Sequence, residues 1–447
     1  MYGVLFLKEC KRTVKSIPYL ILVVMLLVFG YTQIVPEFSM IEKPEPNQAS
    51  YGVKYEEIPG VIMPSAAKSL YSEFAANTYV AYPLGFYKNV KLSDNKQARM
   101  ADILSELTGT PKEDFMKSAG VKPETGSTLR IGDGSLMNLT PNGDGSYKLT
   151  IPKGQSSGSE SAGSAITDVT VAKGLTYERF RELMKQADKL IGGGSMYDGI
   201  YLTRQFGRVP MTYDDALLQY NDIIEKDRIS GAYARVFCDY FGLVLGIFPV
   251  FIAVALGMRD RRAGMLDLIY TRKASSIQIV FTRYLAMIVM MLLPVLLMAV
   301  YAAISVAGKY SGMETDGLAF VKYSLGWLLP TLMASTAVGV FLTELTDFPI
   351  AIAVQGLWWF LGMFAGMKHL DGGYGWDLFL RHNKIGNTQV FLDNFNTLLT
   401  NRILYAGLSI VLILLTVWIY ELKRRGKLHA YNRIPKIFNH RRRKSAA

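Results

Sequence analysis

The residues best suited to chemistry lie in one short basic segment, residues 258–283. Three apolar residues recur there at the i, i+3 and i+4 spacing of a helix with one apolar face: Met265, Leu268 and Ile269. Ser275 and Gln278 have the spacing of a capping box, which predicts that a second helix begins there. An apolar face beside basic residues suits the docking of a soluble partner. The alternative is a loop that only fixes membrane topology.

Three sequence motifs of enzymes are missing from the chain. There is no Gly-x-x-x-x-Gly-Lys-Ser/Thr segment that would bind the phosphates of ATP. The four histidines form no His-Glu-x-x-His zinc motif, and no Gly-x-Ser-x-Gly nucleophile motif occurs. We therefore expect no enzyme activity, no metal and no cofactor in this chain, so that active transport would take its energy from a partner.

The elements that position this segment are six nearly charge-free apolar blocks in a chain of 447 residues, of which 50% are hydrophobic. Each block is close to the roughly 20 residues that a helix needs to cross a bilayer. Such blocks exclude a water-soluble enzyme and predict an α-helical polytopic membrane protein with six transmembrane helices. The blocks are Ile17–Val35, Val236–Met258, Tyr284–Ala307, Ala319–Leu342, Pro349–Met367 and Ile403–Tyr420.

The net charge of +12 is distributed unevenly along the chain. Residues 1–16 hold four basic residues, residues 259–283 hold six and residues 421–447 hold ten, whereas residues 36–232 contain 22 Lys and Arg against 25 Asp and Glu. With six spans the three basic segments share one side of the membrane, and the positive-inside rule makes that side cytoplasmic. The charge therefore predicts topology, with both termini cytoplasmic, and not nucleic-acid binding.

The first 16 residues are predicted to form an amphipathic helix at the cytoplasmic interface of the membrane lipid. Its basic side carries Lys8, Lys11, Arg12 and Lys15. The apolar block at residues 17–35 is expected to be a retained anchor. It exceeds the typical length of a signal-peptide core, and no small-x-small cleavage site follows it.

Residues 36–232 are predicted to form an extracytoplasmic α+β domain, followed by spans 2 to 6 in residues 233–420 and a basic cytoplasmic tail in residues 421–447. Periodicity and stop signals predict helices at Asp94–Leu107, Tyr177–Ile191 and Tyr213–Arg228, strands at Ser146–Ile151 and Thr167–Ala172, and a flexible loop at Lys153–Ala165. Acidic turns at 133–134 and 142–145 lack the spacing of a calcium loop, so they are interpreted as hairpin turns.

Two residue pairs in or directly next to the apolar blocks have a meaningful spacing. Arg235 and Asp239 lie four residues apart and can pair on one helix face. Gly362 and Gly366 form a Gly-x-x-x-Gly pair that allows helices to approach closely. The glycines can serve a dimer interface, or they can pack within the bundle of their own chain.

The run Asp260-x-x-x-Gly264-x-Leu266-x-Leu268, continued by Thr271, Ser275 and Arg283, resembles the segment after the second span of bacterial ABC-2 type transporter permeases. The order of elements is similar over the whole chain, including a large insert between spans 1 and 2. The run departs from the family's pattern at Lys273, where proline is usual, and at Ser276, where a basic residue often follows.

The resemblance implies an ABC-2, type V exporter-like fold in the bacterial cytoplasmic membrane. It implies a coupling helix that docks on an ATP-binding subunit, two copies of that subunit, and a second permease subunit. ATP and Mg²⁺ would be held by the partner. The residues it implies for coupling are Asp260, Arg261, Arg262, Gly264, Leu266, Leu268, Thr271, Ser275, Glu344 and Asp347, with Gly362 and Gly366 at the dimer interface.

The competing interpretation is a membrane-anchored ligand-binding or signalling protein that acts through its extracytoplasmic domain. An adjacent gene for an ATPase would favour the exporter. The sequence leaves the substrate open between lipid, peptide, drug and ion.

Overall fold

The computed structural model describes residues 2–34, 36, 41–83, 86–118, 138–141, 147–150, 170–271, 273–367, 372–382 and 384–428. It is 72% helical. The chain divides into two compact units, which we name by their composition. The bundle unit comprises residues 1–43 and 218–447, and the polar unit comprises residues 44–217. The predicted extracytoplasmic domain, 36–232, therefore extends beyond the polar unit at both ends.

The helices, in chain order, are α1 Tyr2–Val14, α2 Ile17–Phe29, α3 Pro59–Ala76, α4 Asp94–Thr108, α5 Lys112–Ser118, α6 Tyr177–Ile191, α7 Gly199–Phe206, α8 Tyr213–Asn221, α9 Ser230–Arg262, α10 Leu266–Tyr270, α11 Ser276–Lys309, α12 Ala319–Tyr323, α13 Leu329–Thr346, α14 Ile350–Met367, α15 Thr388–Asp393 and α16 Phe395–Arg424. Single π-helical turns occur at Gly30–Ile34, Asp222–Lys226 and Ser324–Leu328. The strands are β1 Val53–Tyr55, β2 Tyr79–Ala81, β3 Lys88–Val90, β4 Asn138–Pro141, β5 Tyr147–Thr150 and β6 Arg208–Pro210.

Five helical segments among the described residues are long and apolar enough to cross a membrane. They are Ile17–Ile34, Ser230–Arg262, Ser276–Lys309, Ala319–Thr346 and Phe395–Arg424. These segments confirm a helical membrane protein. The remaining predicted block forms α14, whose apolar part is the shorter stretch Ile350–Phe364. The count of six spans therefore remains a prediction.

The helices extend beyond the apolar blocks that predicted them. α9 continues through four charged residues to Arg262, and α11 begins at Ser276, eight residues before its block. The predicted coupling loop, 259–283, is therefore too long, and the connection between the helices spans only residues 263–275. The hydropathy pattern marks only the part of a helix that can lie in lipid. The backbone hydrogen bonds of the same helix continue beyond that part, through residues with charged side chains.

In the bundle unit α13 packs against α9 and α16, and α1 packs against α11. The contact between α9 and α13 is close because it is made by small residues. A Cβ atom built on Gly339 would lie only 2.7 Å from the Cβ atom of Ala253. Helix association in lipid depends on such packing, since lipid tails are as apolar as the side chains that they would replace.

The polar unit has its own apolar core, to which α3, α4 and α6 contribute. Its described residues form three two-stranded antiparallel sheets, β1–β6, β2–β3 and β4–β5. The helices predicted at Asp94–Leu107 and Tyr177–Ile191 are confirmed. They end at Gly109 and Gly192, whose φ angles of +74° and +117° favour glycine.

Other predictions for this region have mixed outcomes. The helix predicted at Tyr213–Arg228 is α8 followed by a π-helical turn. The strand at Ser146–Ile151 is confirmed as β5. In the strand predicted at Thr167–Ala172, residues 170–172 are not in a strand, so this prediction is wrong for the described part. The loop at Lys153–Ala165 and the turns at 133–134 and 142–145 lie outside the described residues.

Candidate functional site: the elbow between α9 and α11

The connection from α9 to α11, which we call the elbow (residues 263–275), reverses the chain at Gly264. Its φ of +64° is one that glycine adopts without strain, and the amide of Met265 donates to the carbonyl of Asp260 at 3.0 Å. The short helix predicted here exists as α10. Its apolar face is divided, since Leu268 is 60% exposed whereas Ile269 is 8% exposed and belongs to the core.

The second half of the elbow is fixed by hydrogen bonds at both ends. The predicted capping box is confirmed: Ser275 Oγ accepts from the Gln278 amide at 3.3 Å, and Gln278 Oε1 accepts from the Ser275 amide at 3.0 Å. Arg424, at the end of α16, donates to the carbonyls of Tyr270 and Ala274 at 2.9 and 2.8 Å. The elbow is therefore attached to the last helix of the bundle as well as to α9 and α11.

Four charged residues from α1, α9 and α11 form the α1 cluster: Glu9, Arg12, Asp260 and Arg283. Asp260 pairs with Arg12, and its Oδ2 lies 2.8 Å from Nη2 of Arg283. Arg283 Nε also lies 3.4 Å from Oε1 of Glu9. Arg12, on the predicted basic side of the first helix, is a partner of Asp260. Its charge is compensated within the chain, because α1 packs against α11 and brings Arg12 next to Asp260.

Four further residues from α9, α13, the turn after α13 and α16 form the turn cluster: Arg261, Glu344, Asp347 and Lys423. Arg261 lies 2.7 Å from Glu344 Oε2 and 2.6 Å from Asp347 Oδ1, and Lys423 Nζ lies 2.8 Å from the same Asp347 oxygen. The resemblance implies a coupling role toward an ATPase for Glu344 and Asp347, and the alternative is that both acids are only solvated. Here they meet basic residues of their own chain, since the adjacent helix ends supply the opposite charges.

The predicted coupling residues therefore separate into two groups. Asp260, Arg261, Glu344 and Asp347 are held in ion pairs, with side chains at most 20% exposed, and Leu266 is half-buried. The exposed group is Arg262, Gly264, Leu268, Thr271 and Ser275, together with Lys8, Lys11 and Lys15 on α1. Sequence reasoning missed Glu9, Arg283 and Lys423 as partners, although each lies near the end of an apolar block, where a charge needs a counter-ion.

A small cavity of about 50 Å³ lies beside the clusters, and its lining includes Asp260, Arg261, Thr343 and Tyr420. This volume corresponds to a few water molecules, at roughly 10–15 Å³ for each. It is too small for an organic substrate. Among the described residues, no group of three or more His, Cys, Asp or Glu side chains could hold a metal ion.

Gly362, the first glycine of the pair in α14, lies on a helix face that packs within the chain. A Cβ atom on Gly362 would lie 3.6 Å from the ring of Phe379. On the same face, Gln355 Nε2 donates to the carbonyl of Gly246, and Trp359 Nε1 donates to the carbonyl of Leu243 at 2.9 Å. For Gly362, this geometry fits the alternative in which the glycine packs within its own bundle. The assignment of Gly362 and Gly366 to a dimer interface remains a prediction.

The charged residues at the start of α9 have different partners from those that their spacing predicted. Arg235 is fully buried and pairs with Asp227, and Asp239 pairs with Arg381. The predicted pair between Arg235 and Asp239 is therefore wrong. Asp227 lies in the turn directly before α9, and Arg381 lies in the segment between α14 and α15, so each charge is compensated by a residue outside its own helix.

No family model, no curated protein and no solved structure matches this chain.

Proposed function

We propose that the chain is the permease subunit of an ATP-binding-cassette exporter in the bacterial cytoplasmic membrane. Two ATP-binding subunits dock on the elbow side, where both termini lie, and they hold the ATP and Mg²⁺. A second permease subunit completes the transporter, with α14 as the sixth span. The family resemblance of residues 260–283 supports this proposal.

The structural observation that carries the proposal is an exposed leucine on an elbow that is fixed to the bundle. Leu268 and Met265 present apolar surface, and Arg262 and Lys273 place exposed positive charges near it. Apolar groups surrounded by charged ones are typical of docking surfaces.

The elbow is also well connected to the helices that would move. Asp260 and Arg261, three and two residues before it, belong to the α1 cluster and the turn cluster. A partner that displaces the elbow therefore acts on α1, α11, α13 and α16 together. This coupling suits a change between two packings of the bundle.

Replacing Leu268 with Asp is expected to abolish stimulation of ATP hydrolysis in the partner subunit. A carboxylate buried at the centre of a docking surface weakens binding by about 2 kcal/mol or more, which is roughly 30-fold in Kd. The measurement is the ATPase activity of a candidate ATP-binding subunit and its copurification with this chain.

Leu218→Asp is the matched control, since Leu218 is 64% exposed in α8 and lies outside the elbow. We expect normal stimulation from this variant. A well-folded Leu268→Asp protein that binds and stimulates the ATPase normally would remove the elbow from the coupling surface.

The proposed orientation predicts which engineered cysteines react in intact cells. A membrane-impermeant maleimide should label Lys185→Cys, on the exposed side of α6, but not Lys427→Cys, after α16. The native Cys10 and Cys238 are buried, so background labelling is low. Labelling of both variants from outside would contradict the six-span topology.

A further inference from the structure

The small cavity beside the two clusters lies within the bundle unit, and its lining contains buried polar atoms that lack a protein partner. Thr343 Oγ1, Glu344 Oε1 and the hydroxyl of Tyr420 have no hydrogen-bond partner among the described residues. Thr343 is 1% exposed and Tyr420 is 3% exposed, so bulk solvent does not satisfy their hydroxyl groups. Buried polar groups are costly to leave unpaired. Three of them around one cavity therefore indicate that the cavity holds a ligand.

The hydroxyl of Thr343 does not make the hydrogen bond that its own helix offers. Thr336 and Thr346, also on α13, each donate to the carbonyl four residues earlier at 2.7 Å. Threonine commonly forms this bond inside helices. A Cβ atom built on Gly257 of α9 would lie 3.1 Å from Cγ2 of Thr343, so the methyl group of Thr343 packs against α9. The hydroxyl is thereby left for the cavity, which both residues line.

The charges around the cavity favour a neutral ligand. Three arginines and three acids line it, so their formal charges cancel. They are Arg12, Arg261, Arg283, Glu9, Asp260 and Glu344. A cation or an anion would add an unbalanced buried charge, which is costly.

Water fits both the hydrogen-bonding groups and the volume of the cavity. The carboxylate oxygen of Glu344 only accepts hydrogen bonds, whereas the hydroxyls of Thr343 and Tyr420 both donate and accept. A water molecule can satisfy each of these groups. The cavity of about 50 Å³ has room for a few water molecules at roughly 10–15 Å³ for each.

We propose that the cavity is an internal water-binding site, in which ordered water molecules bond to Thr343, Glu344 and Tyr420 and join the α1 cluster to the turn cluster. The lining supports the bridging role, because it includes all four residues of the α1 cluster and two of the turn cluster, Arg261 and Glu344. Buried water that completes such hydrogen bonds is an integral part of a structure. Ion pairs within each cluster and water between the clusters therefore hold the ends of α1, α9, α11, α13 and α16 together.

The test is radiolytic footprinting of the full-length protein purified in detergent. A short X-ray pulse produces hydroxyl radicals from water, bound water included, and mass spectrometry identifies the side chains that they modify. Tyr420 and Met287 line the cavity and are buried. We expect both to be modified severalfold faster than Tyr405 and Met291, which are buried on the same two helices outside the lining. Tyr405 is a matched control, because its hydroxyl already donates to the carbonyl of Trp376 at 2.6 Å.

Thr343→Val tests the hydrogen bond between the protein and the water, because valine keeps the shape of threonine and lacks the hydroxyl. We expect this variant to melt at a lower temperature than the wild type and to show slower modification of Tyr420. The control is Thr336→Val, which removes a hydroxyl that already donates to the carbonyl of Leu332. Modification of Tyr420 should be unchanged in this control.

Two results would overturn the proposal. Modification of Tyr420 and Met287 as slow as that of their controls would show that the cavity is dry. Thr343→Val would then melt at the wild-type temperature or above it, since it would remove an unpaired hydroxyl. The second result concerns an ion and comes from melting in sodium chloride, choline chloride and sodium gluconate at equal ionic strength. A rise in melting temperature that is specific to sodium or chloride and is lost in Thr343→Val would show that an ion takes the place of water. Neither measurement involves an ATPase, so the outcome is independent of the proposed transport function.

Discussion

Replacing Asp260 with Ala is expected to destabilise the bundle by about 3–5 kcal/mol, the cost of breaking a buried ion pair by removing one partner. Asp260 contacts the guanidinium groups of both Arg12 and Arg283, and its side chain is only 13% exposed. Without it, Glu9 is the one carboxylate left in the α1 cluster for two arginines. The two positive charges then repel each other with only one negative charge to compensate them.

This expectation is measured as the loss of thermal stability of the purified protein in detergent. Arg262→Ala, at the exposed end of α9, is the control and should change the stability by less than about 0.5 kcal/mol. The double variant Asp260→Ala with Arg12→Met should recover much of the loss, because it leaves Glu9 and Arg283 as a neutral pair. A double variant that is as unstable as Asp260→Ala alone would show that the cluster does not act through charge.

The features that could be predicted from the sequence are those with a local physical cause. Charge-free blocks predict spans because a helix satisfies its own backbone hydrogen bonds in lipid. The capping box at Ser275 and Gln278 depends on residues three apart, and the glycines after α4 and α6 supply the positive φ that ends a helix. Each of these signals lies within a few residues of the structure that it specifies.

The features that sequence reasoning missed or misassigned are contacts between distant parts of the chain. Arg12 and Asp260 are 248 residues apart, and nothing near either residue indicates the other. The local rule that pairs charges at i and i+4 gave the wrong partner for Asp239, which pairs with Arg381, 142 residues away. Likewise a Gly-x-x-x-Gly pair indicates that a helix is approached closely, but not by which neighbour.

Glu73 in the polar unit was also missed, since no motif surrounds it. Its carboxylate accepts from the hydroxyl of Tyr197 at 2.8 Å and from the amide of Val80 at 3.1 Å. Burial raises the pKa of Glu73 from its ordinary value of 4.5 to about 7, although both hydrogen bonds act in the opposite direction. Glu73 lies in α3 and contacts Val80 of β2 and Tyr197 of the segment before α7. A change in its charge therefore affects the contacts among these three elements.

The sign of the resulting pH dependence follows from this raised pKa. The folded unit binds the proton of Glu73 more tightly than the unfolded chain does. The stability that this proton contributes is fully present below pH 4.5 and is lost as the pH rises through about 7. The difference between the pKa of Glu73 in the folded unit and in the unfolded chain corresponds to about 3 kcal/mol. The polar unit is therefore expected to become less stable by about that amount between pH 4.5 and pH 7.5.

Glu73→Gln is expected to abolish most of this loss, because the amide retains the shape of the protonated acid and cannot ionise. The measurement is hydrogen exchange of peptides from α3 and α6 in the full-length protein, expressed as protection factors that correct for the intrinsic effect of pH. Glu106→Gln is the control. Glu106 pairs with Arg179 at 2.6 Å, which lowers the pKa of Glu106, so this group titrates below the same pH window. The control should therefore retain the wild-type loss of protection. If Glu73→Gln retains it as well, the carboxylate of Glu73 is already ionised in the folded unit at low pH, and the two hydrogen bonds outweigh burial in setting its charge.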